Sequence, residues 1–325
     1  MAALLVAPDS FKGTLSAKQV AEAIDRGVER AGGQADLCPA ADGGEGTAEV
    51  LLDAMGGEWR TAPVHDPLGR PIEARYALVR DGSTAVVDAA AASGLALLGE
   101  DERDPERASS AGTGELIAAA IDAGARRILV GAGGTATVDA GRAAIETLQE
   151  HGMSEVSLEV LCDTSVPFER AAEVFAPQKG ATPEQVGRLS SRLTALAGTL
   201  SRDPRGRALT GAAGGLAGGL WAAFGAHLVP GATFVLGVVG FDSRLDSADA
   251  VITGEGRLDE QSFEGKLVGQ IARRGREALR PVHVIAGSSA IDGATADRHG
   301  IATVSEAGTL DEISEAAARI VDPAG

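Results

Sequence analysis

The residues best suited to chemistry stand in short polar loops that interrupt apolar runs. The first is Ala7-Pro8-Asp9-Ser10-Phe11-Lys12-Gly13-Thr14, which gathers a carboxylate, a hydroxyl and an ammonium. An ammonium just ahead of a helix terminus, where backbone N–H groups are unsatisfied, can hold a phosphate or a carboxylate. The plain alternative is a solvated lysine. Asp9 can orient Lys12 or close an Asx turn. A second loop, Ala41-Asp42-Gly43-Gly44-Glu45-Gly46-Thr47, exposes backbone around Asp42 and Glu45, which can bind a metal or take a proton from a hydroxyl. They can equally form a turn and favour the start of a helix. The same two readings hold for Asp139 (ligand or helix cap), for Asp163 (base or Asx turn) and for Glu255 with Arg257 (site residues or a local ion pair).

Gly131-x-Gly133-x-x-Ala136 raises a dinucleotide-binding reading. That fingerprint wants an acidic residue about 20 positions on, at the end of the next strand. Here Asp163 comes too late and Glu150 falls within a helix pattern. No G-x-x-x-x-G-K-[ST] occurs, which excludes a P-loop.

Strands and helices must position these loops. The apolar run at 3–6 predicts a buried strand leading into the first loop, and Ser16 with Gln19 has the spacing of a capping box for the helix that follows. Residues 35–39 predict a second strand, and the Asp42 loop then opens a helix ending near Met55. Two strand-loop-helix units in succession predict a parallel sheet. From Trp59 to Ala90 the pattern changes to short alternating runs broken by Pro63, Pro67, Pro71 and Gly82, which predicts a β-rich segment with hairpins. Strands are expected at 127–130 and 157–161, and Thr182-Pro183-Glu184-Gln185 marks a clear helix start. The parallel pattern returns with strands at 249–253, 282–286 and 302–304. The fold class is therefore α/β with two domains: a discontinuous parallel-sheet domain over 1–58 and 245–325, interrupted by an inserted domain over 59–244.

Bulk properties bound the partners. With 325 residues the chain can bury a sizeable core, and its 44 glycines with 3% aromatics imply an aliphatic core with tight turns. A formal charge of −17 argues against nucleic-acid or anionic-membrane partners. Two cysteines, Cys38 and Cys162, are too few for a disulfide scaffold and fit a reduced cytoplasmic setting. The N-terminal run lacks a basic region and is no secretory signal. Residues 208–241 are almost uncharged, but repeated glycines and Pro230 argue for a buried helix with a glycine-rich entrance over a membrane span.

Taken in order, these loops resemble the bacterial glycerate kinases of the glycerate kinase type-1 family over nearly the whole chain. The opening Ala7 to Gly13 is like the family's, Ala41 to Thr47 matches ADGGEGT, and Gly112-Thr113-Gly114-Glu115 matches GTGE. Gly133 to Asp139 resembles GGSATND, Pro177-Gln178-Lys179-Gly180-Ala181 resembles PQKGA, and Gly211 to Leu216 resembles GAAGGL. Thr253-Gly254-Glu255-Gly256-Arg257 with Asp259, Gln261, Gly265 and Lys266 resembles TGEGR-x-D-x-Q-x-x-x-GK. Two positions depart: Val138 and Val166 stand where the family usually has Asn, and the segment after Glu150 is shorter than usual.

The resemblance implies ATP-dependent phosphorylation of D-glycerate with Mg2+, in a cleft between a Rossmann-like domain and an inserted mixed α/β domain, with 2-phosphoglycerate favoured over 3-phosphoglycerate. It also implies provisional roles, because phosphoryl transfer needs chiefly positioning and charge neutralisation. Lys12 and Arg257 neutralise the transferring phosphate or the glycerate carboxylate, with Asp9, Ser10 and Glu45 on the substrate. Asp42 or Asp163 accepts the hydroxyl proton. Glu45, Asp139 or Glu255 holds the metal, and Gly133, Gly134, Thr135, Lys179, Gly214 and Gly215 face the nucleotide. Two other functions compete: an NAD-dependent oxidoreductase, resting on the Gly131 loop, and a metabolite-binding relative impaired in catalysis through Val138 and Val166.

Overall fold

The computed structural model describes residues 3–11, 13–153 and 155–322; Lys12 lies outside the described residues. The strands, in chain order, are β1 (Ala3–Val6), β2 (Gln34–Leu37), β3 (Gly57–His65), β4 (Pro71–Val79), β5 (Thr84–Asp88), β6 (Arg127–Gly131), β7 (Ser157–Cys162), β8 (His227–Pro230), β9 (Ala250–Glu255), β10 (Val282–Ala286) and β11 (Ile301–Glu306). They fall into two sheets, and the chain into two compact units, Met1–Asp42 with Ala232–Gly325 and Gly43–Gly231.

The discontinuous unit is built on a five-stranded sheet in the order β11-β10-β9-β1-β2, parallel throughout. Leu4, Leu5 and Val6 of β1 are buried because the strand lies between β2 and β9, covered on its faces by helices. Helix Ala17–Arg30 starts on the expected capping box, with Ser16 and Gln19 each satisfying the other's backbone. It presents Val20, Ala23, Ile24 and Val28 to the sheet, each Val or Ile contributing about 1.5–3 kcal/mol by burial. Gly27 lets helix Leu310–Val321 approach, since a Cβ there would lie 2.0 Å from the Ser314 carbonyl oxygen. Counting only this unit's strands in chain order, the spatial order runs second, first, third, fourth, fifth. The direction of winding therefore reverses between β1 and β9, and in open α/β sheets ligands bind outside the carboxyl ends of the strands at such a reversal.

The contiguous unit carries a six-stranded mixed sheet in the order β3-β4-β5-β6-β7-β8. β3 and β4 form a long antiparallel hairpin from Gly57↔Val79 to His65↔Pro71, and β5 to β8 are parallel. Its core joins one face of β5, β6 and β7 to Leu116, Ile117, Leu148 and Leu216 on the surrounding helices.

The inserted segment was expected over 59–244; the compact unit spans Gly43–Gly231. The difference has a packing reason. Helix Thr47–Met55 buries Ala48, Val50 and Leu51 and packs on β4 and β5, while Arg244 in helix Phe241–Leu245 bonds Asp36 and the Leu37 carbonyl at β2. The uncharged run 208–241 is no single helix. It holds helix Leu216–Phe224, strand β8 and helix Gly231–Val238, because Gly225 ends the first in a left-handed conformation (φ +71°) and Pro230 ends the strand. Among the described residues no helix is long and apolar enough to cross a membrane.

Candidate active site

In the discontinuous unit, backbone pairing continues past the carboxyl ends of the strands and laces three loops together. The Ala7 and Asp9 N–H groups donate to the Ile252 and Gly254 carbonyls, both at 2.8 Å, and Thr253 Oγ1 donates to the Ala7 carbonyl at 2.8 Å. On the other side, Cys38 and Ala40 donate to Val6 and Pro8. Asp9, Ser10, Asp42 and Glu255 are thereby gathered on one edge, at the winding reversal, and Asp9, Ser10 and Asp42 are each under 9% exposed. Charged and hydroxyl groups held this deep on a parallel sheet's carboxyl edge are the expected composition of a small polar-ligand site. Arg257 follows β9 with a largely exposed side chain, loosely paired with Asp259 at 3.4 Å. A fourth loop went unread in the sequence: Gly287 and Ser288 donate to the Glu255 and Gly256 carbonyls, extending the edge along β10. Gly287 is required there, since a Cβ would lie 2.6 Å from the Gly256 oxygen.

In the contiguous unit the carboxyl ends of β5, β6 and β7 carry Asp88, the loop starting at Ala132, and Asp163. The Gly43-Gly44 backbone crosses directly over them. A Cβ at Gly133 would lie 2.6 Å from Gly44 Cα and 2.8 Å from Asp163 Oδ2, and one at Gly43 (φ +97°) 2.8 Å from the Leu161 carbonyl. Those glycines are therefore demanded by packing, and the packing leaves Glu45 beside Gly134 and Asp163 beside Gly133. Asp88, which sequence reading passed over, holds this loop: its carboxylate accepts from the Gly46 N–H at 3.0 Å and the Ala48 N–H at 3.1 Å, capping helix Thr47–Met55 from a distant strand. Burial pushes Asp88 up to about 7 against those two donors, and the nearby Glu45 charge adds to the rise.

Lys179 and Asp139 are both buried, and each is committed to its neighbours. The Lys179 ammonium donates to the Thr137 carbonyl at 2.7 Å and to Thr135 Oγ1 at 3.2 Å. Burial lowers its pKa to about 8, opposed by the charges of Asp163 and Asp139. Asp139 Oδ2 accepts from the Ser110 N–H and hydroxyl at 3.0 and 2.7 Å, and Oδ1 from the Gly141 N–H at 3.0 Å. Both its oxygens are thus occupied in joining helix Ala111–Asp122 to the turn before helix Arg142–His151.

Other motifs resolve into packing. A Cβ at Gly214 would lie 2.0 Å from the Thr137 carbonyl oxygen, and one at Gly215 2.9 Å from the Phe168 ring, so this glycine pair lets the 211–216 turn press on the loop after β6. In GTGE, Gly112 meets the His65 carbonyl, Gly114 meets Ala144, Thr113 bonds Ser93, and Glu115 accepts from the His65 backbone at 2.7 Å. Val138 lies in an apolar cluster with Phe168, Leu189 and Leu193, so its side chain substitutes within a core. The Gly131 loop lacks the geometry of a dinucleotide fingerprint, because the following helix begins only at Arg142.

A model of the "Glycerate kinase family" matches this chain over residues 4–151 and 143–322. The chain is similar to a glycerate kinase of Bacillus subtilis, 40% identical with 92% of this chain and 88% of that one aligned. It is 36% identical to a glycerate 2-kinase of Escherichia coli, covering 95% of this chain and 92% of that one. A crystal structure of a protein described as glycerate kinase 2 from Salmonella typhimurium superposes with a TM-score of 0.78 at 33% identity, over 99% of this chain and 98% of that one. With its two-sheet α/β architecture, its ordered loops and these similarities, the chain belongs to the glycerate kinase family.

Proposed function

We propose that the protein phosphorylates D-glycerate with ATP and Mg2+ in the cytoplasm, giving 2-phosphoglycerate in preference to 3-phosphoglycerate. The observation that carries this reading is the laced edge at the winding reversal, where Asp9, Ser10, Asp42 and Glu255 converge from three strands. Ser10 and Arg257 have the chemistry to hold the glycerate hydroxyls and carboxylate, and Asp42 to accept the proton of the attacking hydroxyl. Lys12, in the same first loop, adds a cation for the substrate or the transferring group. The preference for the 2-position draws on the relative described as a glycerate 2-kinase.

In the contiguous unit the donor set fits magnesium with a nucleotide. Glu45 and Asp163 are hard oxygen donors, Glu45 beside Gly134 and Asp163 beside Gly133. Magnesium is usually held by one or two carboxylates together with substrate phosphates, so the lack of any three-residue His, Cys, Asp or Glu group among the described residues is no obstacle. When bound, the ion would neutralise charge on the phosphates; Asp139, whose carboxylate already accepts three hydrogen bonds, is less available to it than Glu45 or Asp163. Gly133, Gly134 and Thr135 are the residues proposed to face the phosphates.

The test is ADP release coupled to D-glycerate, with the product's phosphorylated carbon identified by NMR. Turnover with ATP is expected, and loss of kcat by about 100-fold or more in Asp42→Ala, the scale of a general base. Lys12→Ala and Asp163→Ala are scored in the same assay, and near-wild-type kcat removes the residue concerned from the mechanism. Intact glycerate binding with no turnover would instead establish a metabolite-binding protein.

A further inference from the structure

Lys179 belongs to the short turn Pro177–Lys179, closed by Gly180 at φ +92°. The turn is locked in place, since a Cβ on Gly180 would lie 3.0 Å from that of Arg103. Only 4% exposed, the Lys179 ammonium donates both its hydrogen bonds to the loop after β6, to Thr135 Oγ1 and the Thr137 carbonyl, and none to a carboxylate among the described residues. A second cation braces the same loop from the next helix: Arg192 donates to the Val138 carbonyl at 3.0 Å. Burying an ammonium whose hydrogen-bond acceptors are all neutral is costly, and burial lowers its pKa to about 8 even though the charges of Asp163 and Asp139 oppose the fall. Such an arrangement calls for a role in the loop it supports.

We propose that Lys179 is a positioning residue of the kinase, one that fixes the 133–137 loop and turns the Thr135 hydroxyl toward the nucleotide phosphates, without touching the nucleotide itself. The proposal rests on the ATP-dependent reading above. Its chemistry is a matter of donors. Thr135 Oγ1 accepts from the ammonium, so the one hydrogen of the hydroxyl remains available to donate, and donors are what a phosphate oxygen requires. The Thr137 carbonyl, which would otherwise present its dipole unopposed in a buried loop, is neutralised by the same ammonium. Lys179 thus acts through Thr135 and the loop backbone.

The test is a double-mutant cycle on the full chain with Lys179→Met and Thr135→Val, reading ATP Kd by calorimetry, KM for each substrate, and cooperative thermal unfolding. Each single variant is expected to raise the Kd and KM for ATP by about tenfold, with KM for D-glycerate within about twofold. The double variant should be no more than about threefold worse than the poorer single one, because the two residues act as one unit. Losses that multiply would mean that Lys179 acts independently of Thr135, and would overturn the proposal. So would wild-type ATP affinity in folded Lys179→Met, the result of a purely structural role. If Lys179→Met does not fold, Thr135→Val alone decides, and unchanged ATP affinity in it refutes the proposal. A wild-type chain that binds ATP but never phosphorylates D-glycerate removes the substrate reading and leaves the binding cycle to judge Lys179. A wild-type chain that binds no ATP removes both.

Discussion

Thr137 is fully buried, and its Oγ1 has no hydrogen-bond partner among the described residues. The loop uses only its carbonyl. An unsatisfied buried hydroxyl costs about 1–3 kcal/mol, so Thr137→Val is expected to raise stability by about 1 kcal/mol while leaving ATP affinity unchanged. A lower urea midpoint than wild type would contradict this. Asp139 is the opposite case, a carboxylate with three short hydrogen bonds and no spare oxygen. Asp139→Ala should cost about 2–4 kcal/mol in a urea titration without metal, the range for stranding buried polar partners. A residue whose sole duty was to bind magnesium would show no such loss.

At the scale of elements, helix Thr47–Met55 has a glycine at its N-cap and no side-chain cap of its own, so the strand-end Asp88 supplies it. A carboxyl whose folded-state pKa is raised stabilises the fold while protonated, and that contribution fades as pH climbs from the ordinary 3.8 through about 7. The stability of wild type relative to Asp88→Asn should therefore fall between pH 4 and pH 8 in denaturant titrations; a constant difference would show that Asp88 does not titrate there. This cap also marks the limit of what the sequence reveals. Both capping boxes, Ser16 with Gln19 and Thr182 with Gln185, are local signals and form as read. The strands leading to Asp9, Asp163 and Glu255 were legible for the same reason, as largely apolar runs ending in polar loops. A cap donated from a strand some 40 residues away has no local signature, and neither do the Ser110 contacts that occupy Asp139. Glycines were visible, but whether each meets a ligand or a neighbouring backbone depends on packing that no spacing encodes: Gly214 meets the Thr137 carbonyl. Strand β8 was hidden because it is only four residues long, His227–Pro230, inside an almost uncharged, glycine-rich run.

For the molecule as a whole, the contiguous unit contains every strand of its own sheet and its own core. Residues 43–231 expressed alone should unfold cooperatively on heating, as a self-sufficient domain does. A featureless melt would show that the unit depends on the rest of the chain. The other unit cannot pass the same test in pieces. Residues 1–42 carry the edge strand β2 and its neighbour β1, which needs β9 on its other side; β9, β10 and β11 come from the far end of the sequence.

That arrangement sets an order of events on the ribosome. Of this unit's strands β1 and β2 are made before the others, with Asp9, Ser10 and Asp42 in the loops that follow them, while the second neighbour of β1, β9, has not yet been made; the bond from Thr253 to Ala7 spans 246 residues. At a synthesis rate of about 5–20 residues per second, β1 waits ~10–50 s with one edge open while the contiguous unit is made and can fold. An unpaired apolar strand held that long is a template for mispairing. The nascent chain is thus exposed beside the candidate site residues Asp9, Ser10 and Asp42, and demand for chaperone protection should concentrate on the segment that carries β1 and β2.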